Sequence, residues 1–141
     1  MPEPRFNHVA VSVTPDMLDP GGRKELVDFY STVFGWQELP TETLDRQRLV
    51  LSVHRIDQFL FIHGDENPLR GPRMDHFGIG VDTEEELDTF LERARAYQAH
   101  DPRVDIIDKK TETYTTLAIS SFYVGFLLPL MVEVQHWRRV G

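Results

Sequence analysis

Cysteine is absent from the 141 residues of the chain. That absence excludes disulfide scaffolds, thiolate zinc sites and cysteine nucleophiles together. Positive charge is scarce too. Fifteen Lys and Arg face 23 Asp and Glu, giving a net charge of −8 and a pI near 5.1. Grip on phosphate backbones rests on Lys and Arg, so nucleic acid is not an expected partner. Long apolar runs are missing as well. The longest, Phe122 to Val132, contains Pro129, stops at Glu133 and is too short to span a bilayer. The opening residues Met1 to Arg5 lack the apolar stretch of a signal peptide, and the expected location is the cytoplasm. No phosphate loop, Ser-His-Asp order or zinc-ribbon spacing occurs. The length suits one domain with a core of its own, at about 150 residues per domain. Any metal site must therefore be built from His, Asp and Glu.

What is present is a repeat. Asn7-His8-Val9-Ala10-Val11-Ser12-Val13 returns sixty-eight residues later as Asp75-His76-Phe77-Gly78-Ile79-Gly80-Val81. Both alternate strictly and read as strands. One face carries Val9, Val11 and Val13, or Phe77, Ile79 and Val81. The other carries His8, Ala10 and Ser12, or His76, Gly78 and Gly80. A helical stripe follows each strand: Leu26, Phe29, Tyr30 and Val33, then Leu87, Phe90, Leu91 and Ala94. Thr83 and Glu86 have the spacing of a capping box before the second helix. Pro15, Pro20, Gly21 and Gly22 read as a longer loop before the first.

Strand patterns come next, over Trp36 to Thr41, Gln47 to His54 and Gln58 to His63 in the first half. In the second half they cover Val104 to Lys110, Tyr114 to Phe126 and Leu130 to Trp137. Residues 64–72 read as a linker. The organisation is βαβββ twice, in modules 6–64 and 74–137 of a single domain spanning 1–141.

A lone strand histidine is more often a hydrogen-bonded structural residue than a ligand. Two features point the other way here. The histidines hold one position in two copies, and they share their faces with Ala, Ser and Gly. A face packed in a core would carry larger side chains, because interiors are close-packed. The histidine faces therefore read as cavity walls. Glu133, in the middle of the apolar strand Leu130-Met131-Val132-Glu133-Val134-Gln135-His136, would be costly to bury unless paired or bound to a metal. Facing solvent or an arginine is its plainer alternative. His8, His76 and Glu133 together would form a two-His, one-carboxylate set with open coordination positions, as in non-haem Fe(II) oxygenases.

With its paired βαβββ units, strand-borne His8 and His76, and Glu133 on the last strand, the chain resembles the vicinal oxygen chelate superfamily. That superfamily contains glyoxalase I, extradiol dioxygenases, fosfomycin-resistance enzymes, methylmalonyl-CoA epimerase and metal-free bleomycin-resistance proteins. The resemblance covers residues 6 to 137. It implies an α+β glyoxalase-like fold, two modules forming a β-sheet cup with helices outside, and His8, His76 and Glu133 as metal ligands. Fe2+ is the leading cofactor expectation; Mn2+, Zn2+, Ni2+ or Co2+ would also suit the set.

Two departures bear on function. Glyoxalase I and the epimerase usually add a fourth ligand from the last strand of the first module. Here Leu60 or Ile62 is expected at that position, and Gln58 and His63 at the strand's ends are not expected to ligate. A three-ligand site suits a bidentate substrate with O2, or a fosfomycin-like phosphonate with a nucleophile, and counts against four-ligand proton transfer as in glyoxalase I; this favours a dioxygenase-like enzyme. Dioxygenase-like members also carry an Asp-Pro-x-Gly hairpin before the glutamate, where this chain has Phe126-Leu127-Leu128-Pro129. An apolar turn implies a cover: a neighbouring loop, a hydrophobic substrate or a partner subunit, and with the family's habit this suggests a homodimer.

Tyr123, on the strand before Glu133, is the candidate proton or hydrogen-bond donor to bound substrate; a core tyrosine with a satisfied hydroxyl is the alternative. Gln135 shares the Glu133 face and could orient a ligand or substrate. His54, His100 and His136 read as surface or strand-end residues. The partner expected is a small-molecule substrate, with no membrane. A metal-free drug-binding protein of the bleomycin-resistance type is the alternative function, the negative charge suiting a cationic ligand. A metal-dependent isomerase, lyase or transferase of the same superfamily is another, and a metal-bound structural or regulatory module a third.

Overall fold

A computed structural model describes residues 1–39 and 47–141, which divide into two compact units, 1–70 and 71–141. In the first unit β1 (His8–Val13) is followed by a 3-10 turn (Pro15–Leu18), α1 (Pro20–Phe34), β2 (Gln37–Glu38), β3 (Arg48–Ser52) and β4 (Phe59–Gly64). The sheet order is β1-β4-β3-β2, with β1 parallel to β4 and the other pairs antiparallel. Parallel pairing needs a long crossover, and α1 with the strands after it supplies one. Strand alternation buries Val11, Val13, Leu49, Leu51, Leu60 and Ile62 on one face. The α1 stripe Leu26, Phe29, Tyr30 and Val33 is wholly buried and completes this unit's core.

The second unit repeats the plan with β5 (His76–Gly80), α2 (Glu84–His100), β6 (Asp105–Thr113), β7 (Leu117–Gly125) and β8 (Met131–Arg139). Its order is β5-β8-β7-β6, again with one parallel pair, β5 with β8. Phe122, Val124, Val132 and Val134 are buried on one face, together with Leu87, Leu91 and Ala94 of α2, which packs on β6, β7 and β8. Each unit is thus a βαβββ module with a four-stranded mixed sheet, the tandem arrangement of the glyoxalase-like fold.

The expected capping box is formed: Thr83 Oγ1 accepts from the Glu86 amide, and the Glu86 carboxylate accepts from the Thr83 amide. Elsewhere boundaries move. The segment expected as a loop before the first helix is a 3-10 turn, and α1 already begins at Pro20. Proline suits a first helical position because its missing N–H would have no partner there. Gly22 is required by close approach, since a Cβ would overlap the Met17 carbonyl. In the stripe of α2, Phe90 is half-buried rather than core.

The strand expected over Trp36 to Thr41 reduces to Gln37–Glu38 in the described residues; Pro40 and Thr41 lie outside them. Trp36 instead closes the core, stacking on Tyr30 and Phe34 at 5.4 and 4.8 Å. Gly64, expected in the linker, ends β4. Strand β6 runs to Thr113, three residues past Lys110, because backbone pairing with β7 continues through polar residues after a bulge between Ile107 and Lys110. Among the described residues, no helix is long and apolar enough to cross a membrane.

Candidate metal centre

Strand alternation puts His76, Gly78 and Gly80 of β5 on the face opposite the apolar one. The register then sets Met131 beside His76, Glu133 beside Gly78 and Gln135 beside Gly80. On the far side of β8, Tyr123 lies beside Glu133 and Ser121 beside Gln135. Four residues singled out in the sequence therefore share one patch of one sheet face: His76, Tyr123, Glu133 and Gln135.

Glu133 is 7% exposed, and the carboxylate is well supplied with partners. Gln135 Nε2 donates to its Oε1 at 2.9 Å. Tyr123 lies beside it on the neighbouring strand. Burial first, and then the adjacent Glu133 charge, push the Tyr123 hydroxyl above its ordinary value, so the phenol keeps its proton. The His76 ring meets Tyr123 edge-on at 5.0 Å. His76 Nδ1 lies 2.7 Å from the Met74 carbonyl. A carbonyl can only accept, so in the neutral ring Nδ1 carries the hydrogen and Nε2 presents its lone pair. That Nε2 stands 3.4 Å from Glu133 Oε1.

Two donors each ~2.1 Å from one ion lie roughly 3.0–3.4 Å apart, so His76 and Glu133 fit adjacent ligand positions. Gly78 leaves the space in front of them open: a Cβ there would be 3.9 Å from Glu133 Oε1. Among the described residues, no three His, Cys, Asp or Glu side chains gather to hold an ion. Of the expected set, His76 and Glu133 stand together in the second unit.

His8 opens β1 as His76 opens β5. Its Nδ1 lies 2.7 Å from Asn7 Oδ1, which again leaves Nε2 for a ligand, and its ring stacks on Phe59 at 4.9 Å. The register corrects one expectation. Glu133 pairs with Gly78, and Ala10, the counterpart of Gly78 in the repeat, pairs with Phe61. Phe61, not Leu60 or Ile62, therefore holds the position corresponding to Glu133. Leu60 and Ile62 face the core and are buried. The absence of a ligand at this position stands, since phenylalanine offers no donor.

His63, at the end of β4, lies against Phe61 at 5.8 Å. His54 and His100 are exposed, and His136 points to the other face of β8, 3.4 Å from the Val81 carbonyl. In the apolar turn, Phe126 is buried against Tyr97 of α2 with the Arg103 guanidinium over its ring. Leu127 takes a left-handed conformation (φ 60°), and Leu127 to Leu130 are half-buried beside a cavity of about 320 Å3. Part of the cover is thus internal to the unit. Sequence reading missed Trp137, whose indole donates to Gln135 Oε1 at 2.9 Å; the alternation Glu133, Gln135, Trp137 along one strand face is the signal that finds it.

No family model and no curated protein matches the chain. Solved structures do. A glyoxalase/bleomycin resistance protein/dioxygenase from Alicyclobacillus acidocaldarius is 18% identical with a TM-score of 0.67, over 94% of this chain and 91% of that one. A lactoylglutathione lyase from Agrobacterium tumefaciens is 18% identical with a TM-score of 0.64, over 96% of each chain. The fosfomycin resistance protein FosX of Listeria monocytogenes is 15% identical with a TM-score of 0.63, over 95% of this chain and 91% of that one. The chain has the fold of the vicinal oxygen chelate superfamily.

Proposed function

We propose that the protein is a divalent-metal-dependent enzyme that binds a small substrate through two neighbouring oxygens, with dioxygenase-like chemistry at His8, His76 and Glu133. The observation that carries this reading is the pairing of His76 Nε2 with the buried Glu133 carboxylate, 3.4 Å apart on an open sheet face. The Glu133 carboxylate, held by Gln135, turns Oε1 toward a ring nitrogen that presents its lone pair, an arrangement that suits two ligands of one cation. His8, its Nδ1 likewise tied off by a neighbour, is the third ligand in this reading. Fe2+ is the proposed ion, the cytoplasm the proposed location and a homodimer the proposed assembly.

A bound divalent ion supplies Lewis acidity, stabilising the charge that develops as the substrate ionises. The chain's own groups do the rest. The Met74 carbonyl and Asn7 side chain hold the two imidazoles in the tautomer that exposes Nε2. Gln135 fixes one oxygen of Glu133. Tyr123, kept protonated by its surroundings, offers a hydrogen bond or proton to a substrate oxygen beside the ligands. The small residues Gly78, Gly80 and Ala10 leave room for the substrate on the same faces.

The test is Fe2+ loading of apoprotein followed by oxygen uptake with a panel of catechols. Metal-dependent uptake with any catechol supports the dioxygenase reading. Metal binding with no uptake across the panel moves the assignment to an isomerase, lyase or transferase. Tight binding of an aromatic or cationic drug that survives EDTA supports a metal-free binding protein instead.

A further inference from the structure

Trp137 is an odd residue to leave in the open. It is 56% exposed at the end of β8, whereas Trp36, the second of the chain's two tryptophans, is 2% exposed among aromatic rings. Its indole N–H is nevertheless committed, donating to Gln135 Oε1 at 2.9 Å. Gln135 in turn donates through Nε2 to Glu133 Oε1 at 2.9 Å. The period of two along β8 puts all three side chains on one face, forming a hydrogen-bonded row that ends on the carboxylate.

The direction of the row follows from the chemistry of its ends. An indole N–H can only donate and a carboxylate can only accept. Between them, an amide has one orientation that satisfies both. Its oxygen faces Trp137, and its NH2 faces Glu133. The indole thereby blocks the alternative in which the amide rotates away to solvent. The amide, so held, occupies one lone pair of Glu133 Oε1 and limits rotation of the carboxylate. Partners of this kind fix the orientation of metal-ligating groups, and their loss costs roughly 10–100-fold in metal affinity.

We infer that Trp137 is a positioning residue for the metal centre, acting through Gln135 to hold the Glu133 carboxylate in its ligating orientation. The inference rests on the proposed role of Glu133 as a ligand and extends that role outward by two side chains. The indole touches neither ion nor substrate. Its contribution is the N–H, not the ring.

The variants Trp137→Phe and Gln135→Leu, singly and together, separate these roles. Phenylalanine keeps an aromatic ring on the strand and deletes only the donor. Co2+ binding to each apoprotein, measured by competition with a chromophoric chelator, should weaken roughly tenfold in Trp137→Phe. The double variant should lose no more than Gln135→Leu alone, because the indole acts through the amide. In 15N-labelled wild type, diamagnetic Zn2+ should shift the Trp137 indole resonance, and in Gln135→Leu that shift should be lost. Unchanged affinity in Trp137→Phe, or additive losses in the double variant, would overturn the inference while leaving Glu133 a ligand. Wild-type protein that takes up no Co2+ would overturn both.

Discussion

At the scale of single residues, the proposed site depends on what is small as much as on the proposed ligands. Gly78 sits beside Glu133 in the ladder, and a Cβ there meets Oε1 at 3.9 Å, an ordinary contact. Alanine is therefore accommodated. Valine adds two methyl groups toward the carboxylate while favouring the strand conformation. Gly78→Val should leave far-UV circular dichroism unchanged and weaken metal binding roughly tenfold or more, as read by chelator competition. Intact affinity in that variant would mean the ion does not approach from the Gly78 side.

The same scale shows what sequence could and could not deliver. His76 was legible as a candidate because a repeat put it, like His8, at one register position among small residues, and the structure sets it 3.4 Å from Glu133. Glu133 was legible as a carboxylate in an apolar strand. Phe61 was misplaced by one residue, since alternation gives a strand's two faces but the identity of the opposing residue depends on the parallel register of β1 with β4. Trp137 was missed because a strand-end tryptophan looks like any exposed aromatic until its N–H is seen bonded to Gln135.

At the scale of elements, α2 is held at its start by chemistry that sequence announced and a network it did not. Thr83 and Glu86 form the capping box, and Thr83→Ala should lower unfolding free energy by about 1 kcal/mol in urea titration. On the same first turns, Lys109 of β6 reaches Glu84 at 3.0 Å and Asp88 at 2.8 Å, while Ser120 of β7 donates to Glu84. The Lys109 ammonium first, and then the Ser120 hydroxyl, hold the Glu84 carboxyl below the ordinary glutamate range.

A carboxyl depressed on folding contributes stability above its unfolded pKa and loses it as pH falls toward the folded value. Stability measured by urea titration should therefore decline on acidification through the carboxylate range. Lys109→Met should flatten the Glu84 part of that decline; an acid limb as steep as wild type would show that the network is screened out by solvent. The effect is modest because these groups are part-exposed. Lys109 and Lys110 read as ordinary solvated charges in sequence, and only the bulge between Ile107 and Lys110 turns Lys109 toward the helix.

At the scale of the whole chain, the βαβββ repeat was legible because helix and strand periods were strong and recurred together. The lengths of β2 and β6 were not, since pairing partners rather than polarity decided where those strands ended. Cysteine's absence left nitrogen and oxygen donors as the only ligands, and two of the three proposed ones stand together in the second unit. Function turns on the third.

The most direct test is metal stoichiometry in wild type and in His8→Ala, His76→Ala and Glu133→Ala, each loaded with Fe2+ anaerobically, desalted and analysed for metal. His76 and His8 are exposed, so those two variants should stay folded by circular dichroism. Wild type should retain one ion per chain and each variant none. Retention of the ion by His8→Ala, or no retention by wild type, would contradict the three-ligand centre.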